Sequence, residues 1–489
     1  MNAYFGSVAK CSSATRLPRE HPLLSAILVL FVLLAGLYSV ITPIYEAPDE
    51  IGHFQYIKYI ADRRAFPVLT PDAKEDWPVQ GHQLPLYYIM GAVAISPLDT
   101  SDADQLWHFN PHAIIGTFRG VGNRNWVAHT REEAFPYHGT VLAIHLVRFL
   151  SILMGAATVL ITYFVALEIF PRRKGLAAGA ALFVAFNPQF LFISGAVNND
   201  NLAALLSSVV LLSILRILRK GASTPRLIYL GVALGLAALS KLHILGLLLL
   251  GILVLLLLAV EKRSPTLFLK GLAILLLSAF ITGGWWYLRN WAIYGEPTGV
   301  YLHRAVHGRR VRPLTLRLII WQAKAIKWSY WATFGWFNIR ADSFLYNFFD
   351  LLGLLSACGL ILAAIRGLKH RLSLPLAKLF ILLAWVLILG GTILGMMWED
   401  SAHQGRMLFP AISAISFLLF FGLSQLTPRR YTTLLAGLLG GIMLLIAVIT
   451  PFRYIAPAYA KPPLISEDEI ASIPHRLDVT FGGQMRLLG

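Results

Sequence analysis

LLSAILVLFVLLAGLYSVITPI, residues 23–44, runs directly into YEAPDEIGHFQY, residues 45–56. The first stretch matches the roughly 20 apolar residues a helix needs to cross a bilayer. The second places Glu46, Asp49, Glu50 and His53 at the boundary of that span. Pro48 suits a first helical position, and acids suit the first turn, where unpaired N–H groups favour negative charge. The spacing predicts a helix starting here, with Glu46, Asp49, Glu50 and His53 along one side and Ile51, Phe54, Ile57 and Ala61 on an apolar stripe. Such a helix lies in the interface and holds its acids toward water.

Working outward, the chain repeats the same apolar signal. Of its 489 residues, 57% are hydrophobic and 14% charged, with mean hydropathy +0.64. That composition excludes an ordinary soluble domain. The expectation is an all-α polytopic membrane protein with about eleven spans: 23–44, 140–170, 175–193, 202–218, 227–239, 242–260, 267–284, 347–365, 376–397, 407–426 and 432–449. The first span is expected to stay uncleaved. The net charge of +17 does not call for nucleic acid, because the cations gather at alternate turns. Lys10, Arg16 and Arg19 precede the first span; Arg172-Arg173-Lys174, Arg219-Lys220, Lys262-Arg263, Arg366 and Arg429-Arg430 close later ones. By the positive-inside rule these ends, and the N-terminus, are cytoplasmic. His145, Arg148 and Arg216 lie on spans within snorkelling reach of an interface. Cys11 and Cys358 fall in a tail and a span, so no disulfide between them is expected.

This topology divides the chain into a transmembrane module, residues 1–450, and an outer tail, 451–489. Two long outer loops interrupt the module, 42–139 and 285–346, the first carrying interfacial helices. Residues 84–98 are too short to span and read as re-entrant or interfacial. The second loop is basic, with Arg304, Arg309, Arg310, Arg312, Arg317, Lys324 and Lys327, a pattern that suits lipid phosphate.

Glu46, Asp49, Glu50, Asp200, Glu399 and Asp400 all fall on the outer side, which predicts a shared outward-facing cavity. Asp49-Glu50 reads three ways: a general base, part of a divalent-metal site with His53, or plain helix-start chemistry. Arg406 starts a span at its outer end, unfavourably for the helix dipole, and needs an anionic partner. No Walker loop, dinucleotide fingerprint or paired-cysteine zinc site is visible.

Taken in order, Pro48-Asp49-Glu50 with His53-Phe54, Gln83-Leu84-Pro85-Leu86-Tyr87-Tyr88, Asn198-Asn199-Asp200, Trp285 to Asn290 with Tyr294-Gly295, and Gly405-Arg406 with Pro410 resemble the GT-C superfamily of membrane glycosyltransferases. Protein mannosyltransferases and aminoarabinose transferases belong to it. The resemblance implies transfer of a sugar from a polyprenyl-phosphate carrier to a protein, lipid or glycan acceptor at the outer face of the cytoplasmic membrane, with inversion. It implies Asp49 as the base, assisted by Glu50 or Glu46, and Lys241, Arg289 and Arg406 as partners of the donor phosphate. His53, Gln83, Tyr87, Asp200, Glu399 and Asp400 complete the candidate substrate-binding set. Leu84 stands where the family has a first proline. The competing readings are a transporter or flippase of a lipid-linked anion and a non-catalytic polysaccharide assembly factor.

Overall fold

The computed structural model describes residues 17–69, 80–116, 124–301, 313–368, 374–399, 404–460, 478–481 and 485–488. Each of the eleven predicted apolar stretches is helical. In chain order the helices are α1 Pro22–Ile41, α2 Glu50–Arg63, α3 Leu86–Ile95, α4 Gly139–Ile169, α5 Lys174–Ala185, α6 Pro188–Ser194, α7 Asp200–Lys220 and α8 Thr224–Ala238. There follow α9 Gly246–Glu261, α10 Pro265–Tyr294, α11 Leu316–Trp331, α12 Ser343–Leu368, α13 Leu374–Glu399, α14 Ile412–Gln425 and α15 Thr432–Thr450. Among the described residues nine helices are long and apolar enough to cross a membrane. The other two predicted spans depart from simple rods. α5 and α6 meet at 62°, and α8, with 15 residues, is short.

The bend has a local cause. Asn187 caps α6, its Oδ1 accepting from the amides of Gln189 and Phe190 at 2.9 and 3.2 Å, and Pro188 cannot extend α5 because it lacks an N–H. Exposed Leu33, Leu249, Ile281, Leu387 and Leu434 mark the lipid-facing surface, which carries large apolar side chains because no water drives them inward. α8 packs close on α10, since a Cβ on Gly283 would stand 2.5 Å from the Gly235 carbonyl oxygen. α10 also runs through Trp285 to Tyr294, well past the boundary at 285 expected for the second loop. That loop contains α11 and a short hairpin, β1 Thr333–Phe334 with β2 Ile339–Arg340. A second hairpin, β3 Asp478–Phe481 with β4 Met485–Leu488, lies in the tail.

One ion pair at the top of this bundle corrects two expectations. Arg148, on α4, is fully buried and does not snorkel. Its Nε and Nη2 donate to Glu50 at 2.8 and 2.6 Å, while Nη1 donates to the carbonyls of Ser39 and Thr42 and Nη2 to that of Pro43. Glu50 also accepts from the amides of Tyr45 and Val197 at 2.9 and 2.8 Å. Its oxygens are thus saturated and it faces the bundle rather than water. The interfacial helix predicted here is in fact buried over its first half, including Glu50, His53 and Phe54.

Removing one partner of a buried, hydrogen-bonded pair leaves an uncompensated charge and costs about 3–5 kcal/mol. Arg148→Met and Glu50→Gln are each expected to lower the thermal midpoint of the detergent-solubilised protein sharply, and the double variant less than either single one predicts by addition. Fluorescence-detected size exclusion after a heating series checks this.

Candidate active site

Asp49 begins the site. It occupies the N-cap of α2 with φ 63°, the left-handed region that Asp tolerates better than most residues, and its side chain caps nothing. This differs from the predicted helix start at Pro48. The consequence is that the carboxylate leaves its own helix and meets the Arg406 guanidinium. Arg406 is placed by its neighbour: Gly405 presses so tightly on α11 that a Cβ there would collide with Tyr330 N and Ile326 O, and its amide donates to Ser329 Oγ at 2.7 Å.

Arg406 Nη1 reaches Asp200 Oδ2 at 3.3 Å, and Lys241 Nζ reaches Asp200 Oδ1 at 2.5 Å. Asp200 is fully buried at the start of α7, where Asn198 Oδ1 accepts from its amide at 2.9 Å. Lys241 sits in the turn after α8, and that turn is tied to α3 by Leu86 N donating to Leu239 O at 3.1 Å. Two carboxylates and two cations therefore alternate in one cluster, drawn from four separate parts of the chain. Burial raises the Asp49 pKa, but the Arg406 charge overrides it and holds the carboxyl at about 2.

A polar aromatic wall adjoins the cluster. His53 Nδ1 shares a 2.8 Å hydrogen bond with Tyr88 Oη, and Asn199 Nδ2 donates to the same hydroxyl at 3.3 Å. Burial pushes His53 down to about 3 against the pull of Asp49, so its imidazole is neutral. Tyr88 stacks on Tyr56 with centroids 4.2 Å apart. Gln83 Oε1 stands 3.5 Å from Asn199 Nδ2. Tyr87 accepts from the Asn198 amide at 2.9 Å and bonds Ser151 at 2.8 Å, so it braces the 198–200 turn.

Other candidates lie elsewhere. Glu46 precedes α2 and points away from Asp49; one of its oxygens accepts from the amides of Trp126 and Val127 and meets His129 Nε2 at 3.0 Å. Arg289 is spent on the Pro67 carbonyl at 2.9 Å and on the Trp286 face at 4.7 Å. Glu399 ends α13 and its side chain, like Asp400, lies outside the described residues. So do Arg304, Arg309, Arg310 and Arg312 of the basic loop, whereas Lys327 pairs with Asp350 at 2.7 Å.

The metal reading with Asp49 and His53 does not fit. Asp49 is turned onto Arg406 and His53 onto Tyr88, and the fixed charges of Arg406 and Lys241 oppose a dication beside these acids. Among the described residues no three His, Cys, Asp or Glu side chains converge as ligands.

Sequence reasoning misses His129 and quotes Tyr88 in a motif without giving it a role. His129 bridges Glu46 and Glu133, with Nδ1 2.9 Å from Glu133 Oε1. Burial depresses its pKa, but the hydrogen bonds to Glu133 and Glu46 outweigh this and lift it from 6.5 to about 9. A raised folded pKa contributes stability that is complete below pH 6.5 and fades as pH climbs through 9. Thermal midpoints measured across that window are expected to fall in the wild type and to stay nearly level in His129→Gln.

Residues 143–286 match the family model described as dolichyl-phosphate-mannose-protein mannosyltransferase. No curated protein matches by sequence. Among solved structures, ArnT from Cupriavidus metallidurans bound to undecaprenyl phosphate is similar at 14% identity, over 91% of this chain and 74% of that one, with TM-score 0.48. The Archaeoglobus fulgidus oligosaccharyltransferase in complex with Zn and sulfate gives 15%, 91%, 54% and 0.45, and AglB from the same organism with an inhibitory peptide and a dolichol-phosphate gives 16%, 93%, 58% and 0.46. The chain spans little more than half of these two. The family match covers under a third of the chain, on a protein whose described residues include nine helices long and apolar enough to cross a membrane.

Proposed function

We propose that this protein is a membrane glycosyltransferase of the GT-C type, which transfers a sugar from a polyprenyl-phosphate carrier to an acceptor hydroxyl or amide at the extracytoplasmic face of the cytoplasmic membrane, with inversion. One observation carries the lipid-linked donor. A groove of about 510 Å³, almost wholly apolar, opens between α8, α9 and α10, lined by Leu234, Ala238, Ile244, Leu248, Phe280 and Tyr287 among others. Ala238 and Ile244 each stand three residues from Lys241, so the groove is lined on both sides of the turn that carries this cation. An isoprenoid chain fits such a groove and leaves its phosphate beside Lys241 and Arg406. A water-soluble nucleotide sugar has no use for it. The outer-face assignment is supported by the basic turns at Arg219-Lys220 and Arg429-Arg430, which sit at the opposite ends of the helices that carry Asp200 and follow Arg406.

The chemistry follows from the alternation of charge. The acceptor oxygen or nitrogen attacks the anomeric carbon as its proton passes to an Asp49 carboxylate oxygen; the carbon–oxygen bond to phosphate breaks, and the phosphate leaves with the electron pair. Attack opposite the leaving group inverts the centre. Lys241 and Arg406 neutralise the charge that develops on the phosphate. Arg406 holds Asp49 in the free enzyme, and a phosphate that draws the guanidinium away returns proton affinity to the carboxylate. Donor binding and base strength are thus coupled through one side chain. Glu50 takes no chemical part and acts by holding the backbone next to Asp49, while Glu46 anchors the 126–129 segment. The transmembrane module of residues 1–450 is the catalytic unit in this reading, with 451–489 as an outer tail.

Purified protein incubated with a panel of polyprenyl-phosphate sugars is expected to release the lipid phosphate with at least one of them. Asp49→Asn should slow release about 10²–10⁴-fold, the range of general-base catalysis, with topology and protein level unchanged. Lys241→Gln should raise the apparent KM for the donor. Full activity of Asp49→Asn would remove the base assignment, and donor movement between leaflets without phosphate release would make the protein a transporter.

A further inference from the structure

The ends of the helices remote from Asp49 hold a second cavity. α7 carries Asp200 at its start and Arg219-Lys220 at its finish; 21 residues of helix separate them by about 30 Å, the hydrocarbon thickness of a bilayer. Between that finish and the start of α8 lies a pocket of about 370 Å³, at the small end of the roughly 300–1,000 Å³ typical of ligand cavities. Its lining is Ser213, Arg216, Lys220, Pro225, Arg226 and Tyr229, three cations and no acid. Lys262, from the turn after α9, adds a fourth cation at the edge, since a Cβ on Gly221 would lie 3.6 Å from its Nζ.

Basic helix ends are ordinary in membrane proteins, and cations at a helix C-terminus also answer its dipole. Arg226 does so here, Nη1 donating to the carbonyls of Lys220 and Gly221 at 2.6 and 2.8 Å. Those duties do not require a cavity, nor the convergence of Arg216 on it from a full turn inside α7. Buried Glu168, an acid near this end of α7, is already engaged by Arg219 at 2.5 Å and by Lys378 at 3.6 Å. The setting also selects the ligand. Tyr229 of the lining is exposed on α8, as are its neighbours Ile228 and Val232, so the pocket's mouth stands where apolar surface gives way to charge, at headgroup level.

We propose that this pocket binds the phosphate head of an anionic membrane lipid, at the membrane face opposite the acid cluster. The guanidinium groups of Arg216 and Arg226 and the Lys220 ammonium pair with the phosphate oxygens, Tyr229 covers the glycerol ester, and the acyl chains follow Ile228 and Val232 down α8. Because α8 ends at the Lys241 turn, the bound lipid braces the helix that positions a cation of the site.

The test uses the full-length protein in nanodiscs made either of phosphatidylcholine alone or with phosphatidylglycerol added. Native mass spectrometry is expected to retain phosphatidylglycerol on the wild type, and the thermal midpoint to rise with that lipid. Arg216→Gln and Lys220→Gln, neither of which removes the α7 cap, should each weaken retention about fivefold, as expected for ~1 kcal/mol per cation near an anionic headgroup. If Arg216→Gln fails to fold, Lys220→Gln alone decides. Retention unchanged in the variants overturns the site. A midpoint shift reproduced by inorganic phosphate in phosphatidylcholine discs overturns the lipid assignment in favour of a soluble anion.

Discussion

The Arg148–Glu50 pair is the constraint on which the rest of the upper bundle depends. A guanidinium without water must have every N–H answered, and Arg148 finds its partners in the last turn of α1, in the segment after it and in Glu50. Glu50 in turn takes the Val197 amide, three residues before Asp200. A single buried charge thereby fixes, relative to one another, the backbone on either side of Asp49 and the approach to Asp200. Replacing it by an apolar pair could match its stability, but not this joint positioning of two acids from distant parts of the chain.

Downstream of that anchor, the charged cluster is neutral in sum: Asp49 and Asp200 against Lys241 and Arg406. Neutrality explains how four ionised groups are kept among apolar helices without an uncompensated charge in low dielectric. It also means that a phosphate entering the cluster must be accommodated by rearrangement of pairs already made. Arg406 is the member shared by both acids, so any such rearrangement passes through it.

The span positions were legible because apolar runs of bilayer length need no tertiary partner to be recognised. Asp49 and Asp200 could be grouped because the expected topology puts them on one side, and Lys241 and Arg406 joined them through the family resemblance. What periodicity could not resolve was direction. Glu46 and Glu50 share a face only if a helix runs through both, yet the helix starts at Glu50, and buried partners turn the two carboxylates apart. Arg148 read as a snorkelling anchor because its partner is 98 residues away in sequence. The signal was present in its place well inside a span, where a charge calls for a named partner. Arg289 was grouped with the phosphate ligands by resemblance, but an aromatic face and a backbone carbonyl occupy it. His129 lies in a loop without periodicity, where only folding could show what it bridges.

The bend between α5 and α6 has a further meaning for how this architecture can vary. Beyond it, Asn187 Nδ2 donates to the Tyr330 carbonyl at 3.1 Å, and Gln189 Oε1 accepts from the Thr333 amide at 2.7 Å. Trp336 Nε1 reaches back to the Tyr45 carbonyl at 2.9 Å. Residues 330–336 of the segment between α10 and α12 are therefore stitched both to the core and to the first loop. Segments so attached are not modules that can be exchanged between relatives as units. New specificity on this scaffold has to come from side-chain replacement within the loops or from lengthening at their rims, while the stitched backbone is inherited with the spans.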